Sequence, residues 1–347
     1  MNITTYAADI AKNVMQIHWI EPSTGEIKRK KLSRPKFIEF FASMQPARIA
    51  MEACGSAHHW ARTFASLGHD VELLPAKQVK AFVRGNKDDA ADAQAIWSAS
   101  MQAHIRRVPI KTQEQQAIQA VHRTRSHWVT VRTATINAMR GLLYEFGVVL
   151  PQGRESAMKV VGLQRSEIDQ KLPQLMVRLL DEQLRTVRET DHNVSAMDKE
   201  ILALQKSLAS AKVLSQIPGV GPMGSTALAA MLGDGKAWRN GREFAANLGL
   251  CPAHTGTGGK VRIAGISKRG DPYLRTLLIS GAHSVLAIGK PSEWAMNLKG
   301  RRPMNVVVVA MANKIARTAW ALIAHGRTYA GDWKSSKPTP APAPVAA

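Results

Sequence analysis

The sequence predicts an α/β domain with a mixed sheet at the N-terminus, then a long helical region, then a mainly helical, glycine-rich C-terminal domain. Three observations support this. Over roughly the first hundred residues, short runs rich in β-branched and aromatic residues alternate with helix-forming segments. From about residue 112 to 212, glycine and proline become sparse and apolar residues recur at helical spacing. From residue 214 onward, glycine returns in clusters between apolar helical segments.

The first domain begins with two strands joined by a tight polar turn at Ala11-Lys12-Asn13, and a basic third strand follows. The predicted strands are 3–9, 14–20, 26–32, 47–52 and 71–74, and the predicted helices between them are 35–43 and 58–67. Because strands alternate with helices, we expect a sheet with both parallel and antiparallel neighbours.

The middle region predicts one long helix over 113–146 and one or two more over 165–211 around Pro173, with Pro151 and Gly153 separating them. Long paired helices form antiparallel hairpins or oligomer contacts, although a plain helical spacer fits the pattern equally well. The last predicted helix, 305–325, is mostly apolar. The predicted domain boundaries are 1–108, 109–212 and 213–330, and a Pro/Ala-rich tail at 331–347 is expected to be disordered.

The charge balance favours a polyanionic partner. The chain of 347 residues has 47 Lys and Arg against 26 Asp and Glu, a net charge of +21. A membrane surface is the competing polyanion, but the most apolar stretch, 306–324, is interrupted by Lys314 and Arg317. The two cysteines, Cys54 and Cys251, match no metal-ligand spacing and suit a reducing cytoplasm. We therefore expect a cytoplasmic protein that binds nucleic acid and no membrane.

Four acidic residues form the first candidate site. Asp9 and Glu52 end predicted strands, and Asp89 and Asp92 lie at the start of a helix, three residues apart on one face. Each alone has a structural alternative, because an aspartate at such a place begins a turn or caps a helix. Together they would repel one another unless cations lay between them. Carboxylate clusters hold Mg²⁺ or Mn²⁺, and two such ions stabilise the attacking and leaving oxygens of a phosphodiester.

A second candidate element is the Pro-Gly-Val-Gly turn that contains Gly219 and Gly221 and leads into a helix of small residues. It is typical of a helix-hairpin-helix, whose backbone N–H groups bind a nucleic-acid phosphate without reading sequence. A purely structural turn between two helices is the alternative.

The third candidate is the Gly-rich segment 248–278, in the most basic part of the chain predicted to fold. Residues 236–302 contain twelve Lys and Arg against three acids. Its hydroxyls are Thr255, Thr257 and Ser267, and its phosphate-binding candidates are Gly258, Gly259, Lys260, Arg262, Lys268, Arg269 and Arg275. Glycine lets the backbone approach a phosphate and cations neutralise it. A hydroxyl held there could attack phosphorus, or the loop could bind phosphate only.

Several short motifs in a fixed order resemble one transposase family. They are DIAKN, MEACG, KDDAADA, IPGVGP, LGLCP with TGTGGK, GISKRGDPYLRTLL and ANKIARTAWALI, and they run from about residue 3 to 325. The chain resembles the insertion-sequence transposases with a DEDD domain and a C-terminal serine domain, the Piv-like family that contains the bridge-RNA-guided recombinases. The GISKRGD form most resembles the subgroup whose elements insert at integron attachment sites.

The resemblance implies an RNase H-like (RuvC-like) first domain, a coiled-coil insertion and a mainly α transposase domain that supplies a nucleophilic hydroxyl. It also implies Mg²⁺ (or Mn²⁺), donor and target DNA, a structured non-coding bridge RNA, and a dimer that assembles to a tetramer in the bacterial cytoplasm, at the nucleoid.

Carried over by motif, the acidic tetrad falls on Asp9, Glu52, Asp89 and Asp92. Asp89 is preferred to Asp88 because the family's two acids lie three apart, with alanine after the second. The family's nucleophile is a serine directly before a glycine, and here Thr257 holds that place. Threonine has the same hydroxyl with an added methyl and a stiffer χ1. Thr255 and Ser267 are lesser candidates.

Three functions compete. The first is an RNA-guided recombinase in which Thr257 attacks a phosphodiester, forming a covalent protein–DNA link, with metal ions on the tetrad. The second is a metal-dependent, structure-specific endonuclease of the junction-resolving kind that uses water. The third is a binding module with decayed sites, which the intact tetrad disfavours.

Overall fold

The computed structural model describes residues 3–83, 88–258, 260–289 and 291–331. The chain divides into two compact units, Met1–Gln116 and Ala117–Ala347. The predicted boundaries at 108, 212 and 330 remain predictions. Of the predicted disordered tail at 331–347, residues 332–347 lie outside the described residues.

Unit 1 is built on a mixed five-stranded sheet with the order β3-β2-β1-β4-β5. The strands are β1 (Thr5–Ile10), β2 (Val14–Ile20), β3 (Ile27–Ser33), β4 (Arg48–Glu52) and β5 (Asp70–Leu74). β1, β2 and β3 form an antiparallel meander, whereas β4 is parallel to β1 and β5 is parallel to β4. The predicted mixed sheet is confirmed.

Helices cover both faces of this sheet. They are α1 (Arg34–Ala42), α2 (Ala57–Ser66), α3 (Ala76–Val79) and α4 (Asp89–Ser100), with a 3-10 turn at Lys80–Phe82. On one face, Phe37, Phe41, Trp60 and Phe64 pack as a buried aromatic cluster from α1 and α2. On the other face α4 packs on the sheet, with Ala95, Ile96 and Ala99 in one cluster with Ala7 and Ala50. Successive side chains of a strand point to opposite faces of the sheet. Each strand side chain therefore lies either on the face covered by α1 and α2 or on the face covered by α4.

Unit 2 contains the long helices and the C-terminal domain. Its elements are α5 (Gln113–Tyr144, which begins just before the boundary between the units), α6 (Arg154–Leu163), α7 (Arg165–Lys171), α8 (Gln174–Ser207), α9 (Ala209–Leu214), α10 (Pro222–Leu232), α11 (Gly241–Asn247), β6 (Pro252–Thr257), β7 (Lys260–Ile266), α12 (Pro272–Ala287), α13 (Glu293–Lys299) and α14 (Met304–Ala324). The long helix predicted over 113–146 matches α5, and Pro173 lies directly before α8, where its fixed φ suits a helix start.

α5 and α8 run antiparallel and contact each other in a regular register. Arg125 forms an ion pair with Asp198, and one heptad further on Arg132 forms an ion pair with Asp191. Buried residues along both helices are separated by three, four or multiples of seven residues: Ile118, His122, Ile136, Met139 and Leu143 on α5, and Leu180, Leu184, Val187, Val194 and Ile201 on α8. This spacing is the periodicity of a packed helix pair, and a supercoiled coiled coil stays a prediction.

Helix α6 was not anticipated. The segment after Pro151 and Gly153 was expected only to separate helices, but α6 begins directly after Gly153 and buries Ala157 and Val161. Gly153 has a φ of +91°, a conformation that glycine adopts without strain, and here it precedes a helix rather than a loop.

α14 lies in the core of unit 2. By length and composition it could cross a membrane, but 44% of its apolar window is buried within the protein. Val307, Val308, Ala312, Ala316 and Ala319 are almost fully buried and pack with α11 and α12. Burial in the protein core accounts for its apolar composition.

Candidate catalytic carboxylates and nucleophile hairpin

The sheet brings Asp9 and Glu52 side by side. β1 and β4 are parallel, and the pairing of Ala8 with Met51 places the next residues, Asp9 and Glu52, together at the same end of the two strands. Ala7 and Ala50 pack against α4. Since side chains two residues apart share a face, Asp9 and Glu52 also point toward α4.

The N-terminus of α4 supplies the other two acids. Asp88 is the N-cap, and its side chain accepts a hydrogen bond from the backbone N–H of Ala90 at 3.4 Å. Asp89 and Asp92 lie in the first turn of the helix. Asp88 thus has a structural function that Asp89 does not share, and the choice of Asp89 for the tetrad stays a prediction.

The four carboxylates interact electrostatically. Burial and then the charges of Asp92, Asp89 and Glu52 raise the pKa of Asp9 from 3.8 to about 6. Burial and the charge of Asp92 also raise the pKa of Glu52. Burial and nearby negative charge both disfavour the ionised form of a carboxyl group, so the other three acids lie within electrostatic range of Asp9. The structure therefore places the four acids that the sequence singled out in one neighbourhood, beside the N-terminus of α4.

This donor set suits a hard divalent cation. All four groups are carboxylates, which Mg²⁺ and Mn²⁺ prefer. Besides burial, the negative charges around Asp9 raise its pKa, and a cation would offset their repulsion. Within the described part of the chain, no three His, Cys, Asp or Glu side chains converge closely enough to share an ion. The residues fit the cation by chemistry and charge, and ligation requires their side chains to move together.

Cys54 belongs to the same neighbourhood, which the sequence reasoning overlooked. Burial, and then the charges of Glu52 and Asp9, raise the pKa of its thiol. Its position two residues after Glu52 was the available signal, because the chain turns sharply after β4. The thiol stays protonated and uncharged beside the carboxylates.

The segment predicted as a Gly-rich loop is a β-hairpin, which corrects that prediction. β6 and β7 pair antiparallel from Thr255 to Arg262, and the pair Thr257–Lys260 flanks a two-residue turn. Gly258 has a φ of +56°, as such a turn requires, and Gly259 lies outside the described residues. Two glycines between β-forming residues are typical of a hairpin turn. The sequence therefore contained a signal for the hairpin, although the glycines had been interpreted as part of a phosphate-binding loop.

The hairpin register collects hydroxyls and cations on one face. Thr257 pairs with Lys260 and Thr255 pairs with Arg262. Paired residues share a face, as do residues two apart, so all four side chains lie together. All four are exposed. A phosphate that contacts the cations of this face therefore also meets a threonine hydroxyl.

The remaining candidates near the hairpin have structural contacts at its base. The backbone N–H of Ser267 donates to the carbonyl of Cys251 at 2.9 Å. The Arg275 guanidinium donates through Nη1 to the carbonyls of Leu248 and Arg269, at 3.1 and 2.9 Å. Arg275 therefore holds the backbone on both sides of the hairpin, whereas the side chains of Lys268 and Arg269 are exposed.

The helix-hairpin-helix candidate corresponds to α9, the turn at 215–221 and α10. Gly219 has a φ of +85°, and a Cβ added to it would lie 2.6 Å from the carbonyl oxygen of Gly281 in α12. Close packing thus requires this glycine whether or not it contacts nucleic acid. Gly221 is exposed and is the N-cap of α10, where backbone N–H groups are free of helical partners.

A buried polar cluster escaped the sequence reasoning. His122 of α5 is 3% exposed, and its ring nitrogens bond to the Tyr273 hydroxyl at 2.9 Å and the Thr226 hydroxyl at 3.0 Å. Burial, and then the charge of Arg125, lower the pKa of His122 to about 4, so the ring is neutral. No local pattern in a long helix marks such a residue, because its partners lie far away in the sequence.

Comparison with known proteins assigns the family. A DEDD transposase model of the IS110 type matches residues 7–147, and a model described as "Transposase IS116/IS110/IS902 family" matches residues 211–299. A Pseudomonas aeruginosa protein named "Probable family 20 transposase" is 42% identical over 95% of this chain and 99% of its own length. The transposase of insertion sequence element IS1111A from Coxiella burnetii is 36% identical, over 94% of this chain and 92% of the relative. The transposase of insertion sequence element IS1328 from Yersinia enterocolitica is 35% identical, over 94% of this chain and 99% of the relative.

The first match contains all four carboxylates and the second contains the hairpin. A DEDD transposase domain has an RNase H-like α/β fold, and transposases of this type generally depend on a divalent metal. With its mixed sheet, its two matching models and relatives similar along nearly their whole length, the chain belongs to the IS116/IS110/IS902 family of transposases, enzymes that act on DNA.

Proposed function

We propose that this transposase is an RNA-guided DNA recombinase that uses the hydroxyl of Thr257 as its nucleophile and the carboxylates of Asp9, Glu52, Asp89 and Asp92 to hold Mg²⁺ or Mn²⁺. The observation that carries the proposal is the hairpin face, where two threonine hydroxyls lie beside Lys260 and Arg262. Cations neutralise the phosphate charge that repels an oxygen nucleophile. Thr257 is preferred to Thr255 because it lies at the turn and precedes Gly258, as the family's serine precedes a glycine.

In the proposed reaction, the hydroxyl oxygen of Thr257 forms a bond to phosphorus and its proton passes to water. The bond from phosphorus to one bridging oxygen breaks, and that oxygen takes a proton from water, which leaves a DNA hydroxyl end and a phosphodiester between protein and DNA. Rejoining reverses these steps, with a hydroxyl end of the exchanged strand displacing Thr257. When bound, the divalent cation supplies charge stabilisation to the attacking and leaving oxygens. The four carboxylates position that cation.

Guidance by RNA completes the proposal. A structured bridge RNA encoded by the element would pair with donor and target DNA, so that base pairing rather than side chains reads the sequence. Family membership and the net charge of +21 support this.

We further propose that the protein acts in the bacterial cytoplasm at the nucleoid as a dimer that assembles to a tetramer, with the helical region as a coiled-coil insertion. The GISKRGD motif, residues 265–271, supports insertion at integron attachment sites.

A metal-dependent endonuclease of the junction-resolving kind is the second candidate. The observation that favours it is the electrostatic coupling of the four acids within unit 1, because two-metal hydrolysis by water needs no protein hydroxyl. The hairpin would then only bind phosphate.

Replacement of Thr257 distinguishes the two functions. Thr257→Val keeps the branched shape and removes the oxygen, so it and Thr257→Ala should eliminate rejoining and the covalent adduct, while Thr257→Ser retains substantial activity. The assay is a denaturing gel of protein with labelled suicide substrate and the element's RNA in Mg²⁺, with the adduct mapped by mass spectrometry. An adduct on Thr255 or Ser267 would change the residue and keep the mechanism. Efficient cleavage without an adduct, undiminished in Thr257→Val, would establish the endonuclease.

A further inference from the structure

The edge strand of the sheet in unit 1 is strongly basic, and the proposed reaction makes no use of it. β3 contains Lys28, Arg29, Lys30 and Lys31 in succession, and among the strands that the structure describes it pairs with β2 alone. Lysines on an edge strand also prevent pairing between molecules, so charge alone assigns no ligand. What these cations can bind depends on the face of the sheet toward which each side chain points.

Alternation divides the four cations into two pairs. Lys28 and Lys30 point toward the face covered by α1: Lys30 lies 4.8 Å from the ring centroid of Phe40 in α1. Arg29 and Lys31 point toward the face covered by α4, and Arg29 donates to the side-chain oxygen of Gln94 in α4 at 3.0 Å. This second face is the one toward which Asp9 and Glu52 point.

The strand register then places Lys31 in line with the carboxylates. Asp9 pairs with Gln16 across β1 and β2, and Gln16 pairs with Lys31 across β2 and β3. Because Glu52 lies on the opposite side of Asp9, one row crosses four strands on one face, in the order Lys31, Gln16, Asp9, Glu52. Two strand spacings separate the backbones of Asp9 and Lys31, roughly 10 Å.

We propose that Lys31, with Arg29 beside it, binds the phosphate backbone of the substrate DNA strand next to the phosphodiester that is held at the carboxylates. The inference rests on the proposed function and adds the path of the strand across the sheet. Carboxylates repel a DNA strand, and a cation in the same row offsets that repulsion at a neighbouring phosphate. Lys31 is exposed, and within the described part of the chain no ion pair or hydrogen bond engages its side chain, whereas Lys28 forms an ion pair with Glu26 at 2.9 Å.

Lys28 and Lys30 provide matched controls on the same strand. If the cations only protect an edge, the three lysines respond alike to DNA. If Lys31 binds the substrate strand, it responds and the lysines of the α1 face do not. Acetylation footprinting of the full-length protein reads each lysine separately by mass spectrometry. The probe is a short mixed-sequence single-stranded DNA oligonucleotide, in Ca²⁺.

We expect DNA to lower the acetylation rate of Lys31 several-fold and to leave Lys28 and Lys30 within error of the DNA-free protein. Lys31→Gln should reduce the slope of log affinity against log salt by about 0.7, the loss of one single-strand phosphate contact, and Lys28→Gln should leave it unchanged. Equal protection of the three lysines, no protection of Lys31, or protection of Lys31 by RNA but not by DNA would overturn the inference. The acetylation footprint does not depend on cleavage. If DNA protects Lys31 but no covalent adduct forms on Thr257, the result rejects the proposed nucleophile and leaves the inference about Lys31 in place.

Discussion

At the scale of single residues, neighbouring acids in unit 1 differ in their contacts. Asp88 and Asp89 are adjacent, but Asp88 caps α4, whereas the charge of Asp89 is one of those that, together with burial, raise the pKa of Asp9. Neighbouring residues of one type can therefore be tested against each other.

Neutralising a tetrad acid should abolish DNA cleavage. Asp9→Asn, Glu52→Gln, Asp89→Asn and Asp92→Asn each remove a ligand charge and nearly preserve shape, while Lys and Arg elsewhere still bind nucleic acid. Strand cleavage and DNA binding are measured in parallel, and binding should persist in all four variants. Asp88→Asn is the control and should retain most activity. Full cleavage by two or more of the tetrad variants would show that the metal site lies elsewhere.

The raised pKa of Asp9 predicts a pH-dependent stability. In the folded state Asp9 titrates near 6 and in the unfolded state near its ordinary value of 3.8. Between these values the folded state binds the extra proton, so the contribution of Asp9 to stability falls as the pH rises through this window. In EDTA, the melting temperature of the wild type should therefore fall relative to Asp9→Asn on going from acid to neutral pH. Mg²⁺ should restore the melting temperature of the wild type at neutral pH. If the melting temperature of Asp9→Asn changed with pH in the same way as that of the wild type, Asp9 would not be the origin of the effect.

At the scale of elements, the antiparallel contact of α5 and α8 depends on one face of each helix. Leu180 is 3% exposed in the shared cluster, whereas its neighbour Leu179 is 43% exposed. The helices are long, but packing rather than helix propensity stabilises such pairs.

Truncating the buried leucine should destabilise this region far more than truncating its neighbour. Leu180→Ala should cost about 2–5 kcal/mol of unfolding free energy because it leaves a cavity, and Leu179→Ala should cost roughly 0.5 kcal/mol or less. Urea denaturation followed by circular dichroism measures the difference. Equal losses in the two variants would mean that the two faces of α8 are equally buried in solution.

At the scale of the whole molecule, the excess of positive charge predicts how the protein finds DNA. Stripped of nucleic acid, the protein should bind DNA with little sequence preference and with an affinity that falls steeply with salt. The element's own RNA should create selectivity, and changes to its pairing bases should redirect it. Competition binding between matched and scrambled DNA tests both points. Sequence-selective recombination by RNA-free protein would reject guidance by RNA.

Local patterns in the sequence predicted the strands of unit 1, the long helix α5 and the grouping of Asp9, Glu52, Asp89 and Asp92 as one candidate site, while the preference for Asp89 over Asp88 came from the family resemblance. Alternation, helical spacing and turn residues act over a few residues, so they are visible without the fold. The prediction of a Gly-rich loop was wrong in its secondary structure, since the segment is the hairpin of β6 and β7. The glycines were interpreted by their possible contact with phosphate rather than as turn residues between two strands.

Only the tertiary structure decided which distant residues meet. Alternation tells which strand residues share a face but not the register between strands, so the row from Lys31 to Glu52 follows from the pairing of β3, β2, β1 and β4. Arg275 binds backbone carbonyls, and His122 bonds to Tyr273 and Thr226. These contacts join residues from different elements, and packing of the whole chain, rather than any local preference, brings them together.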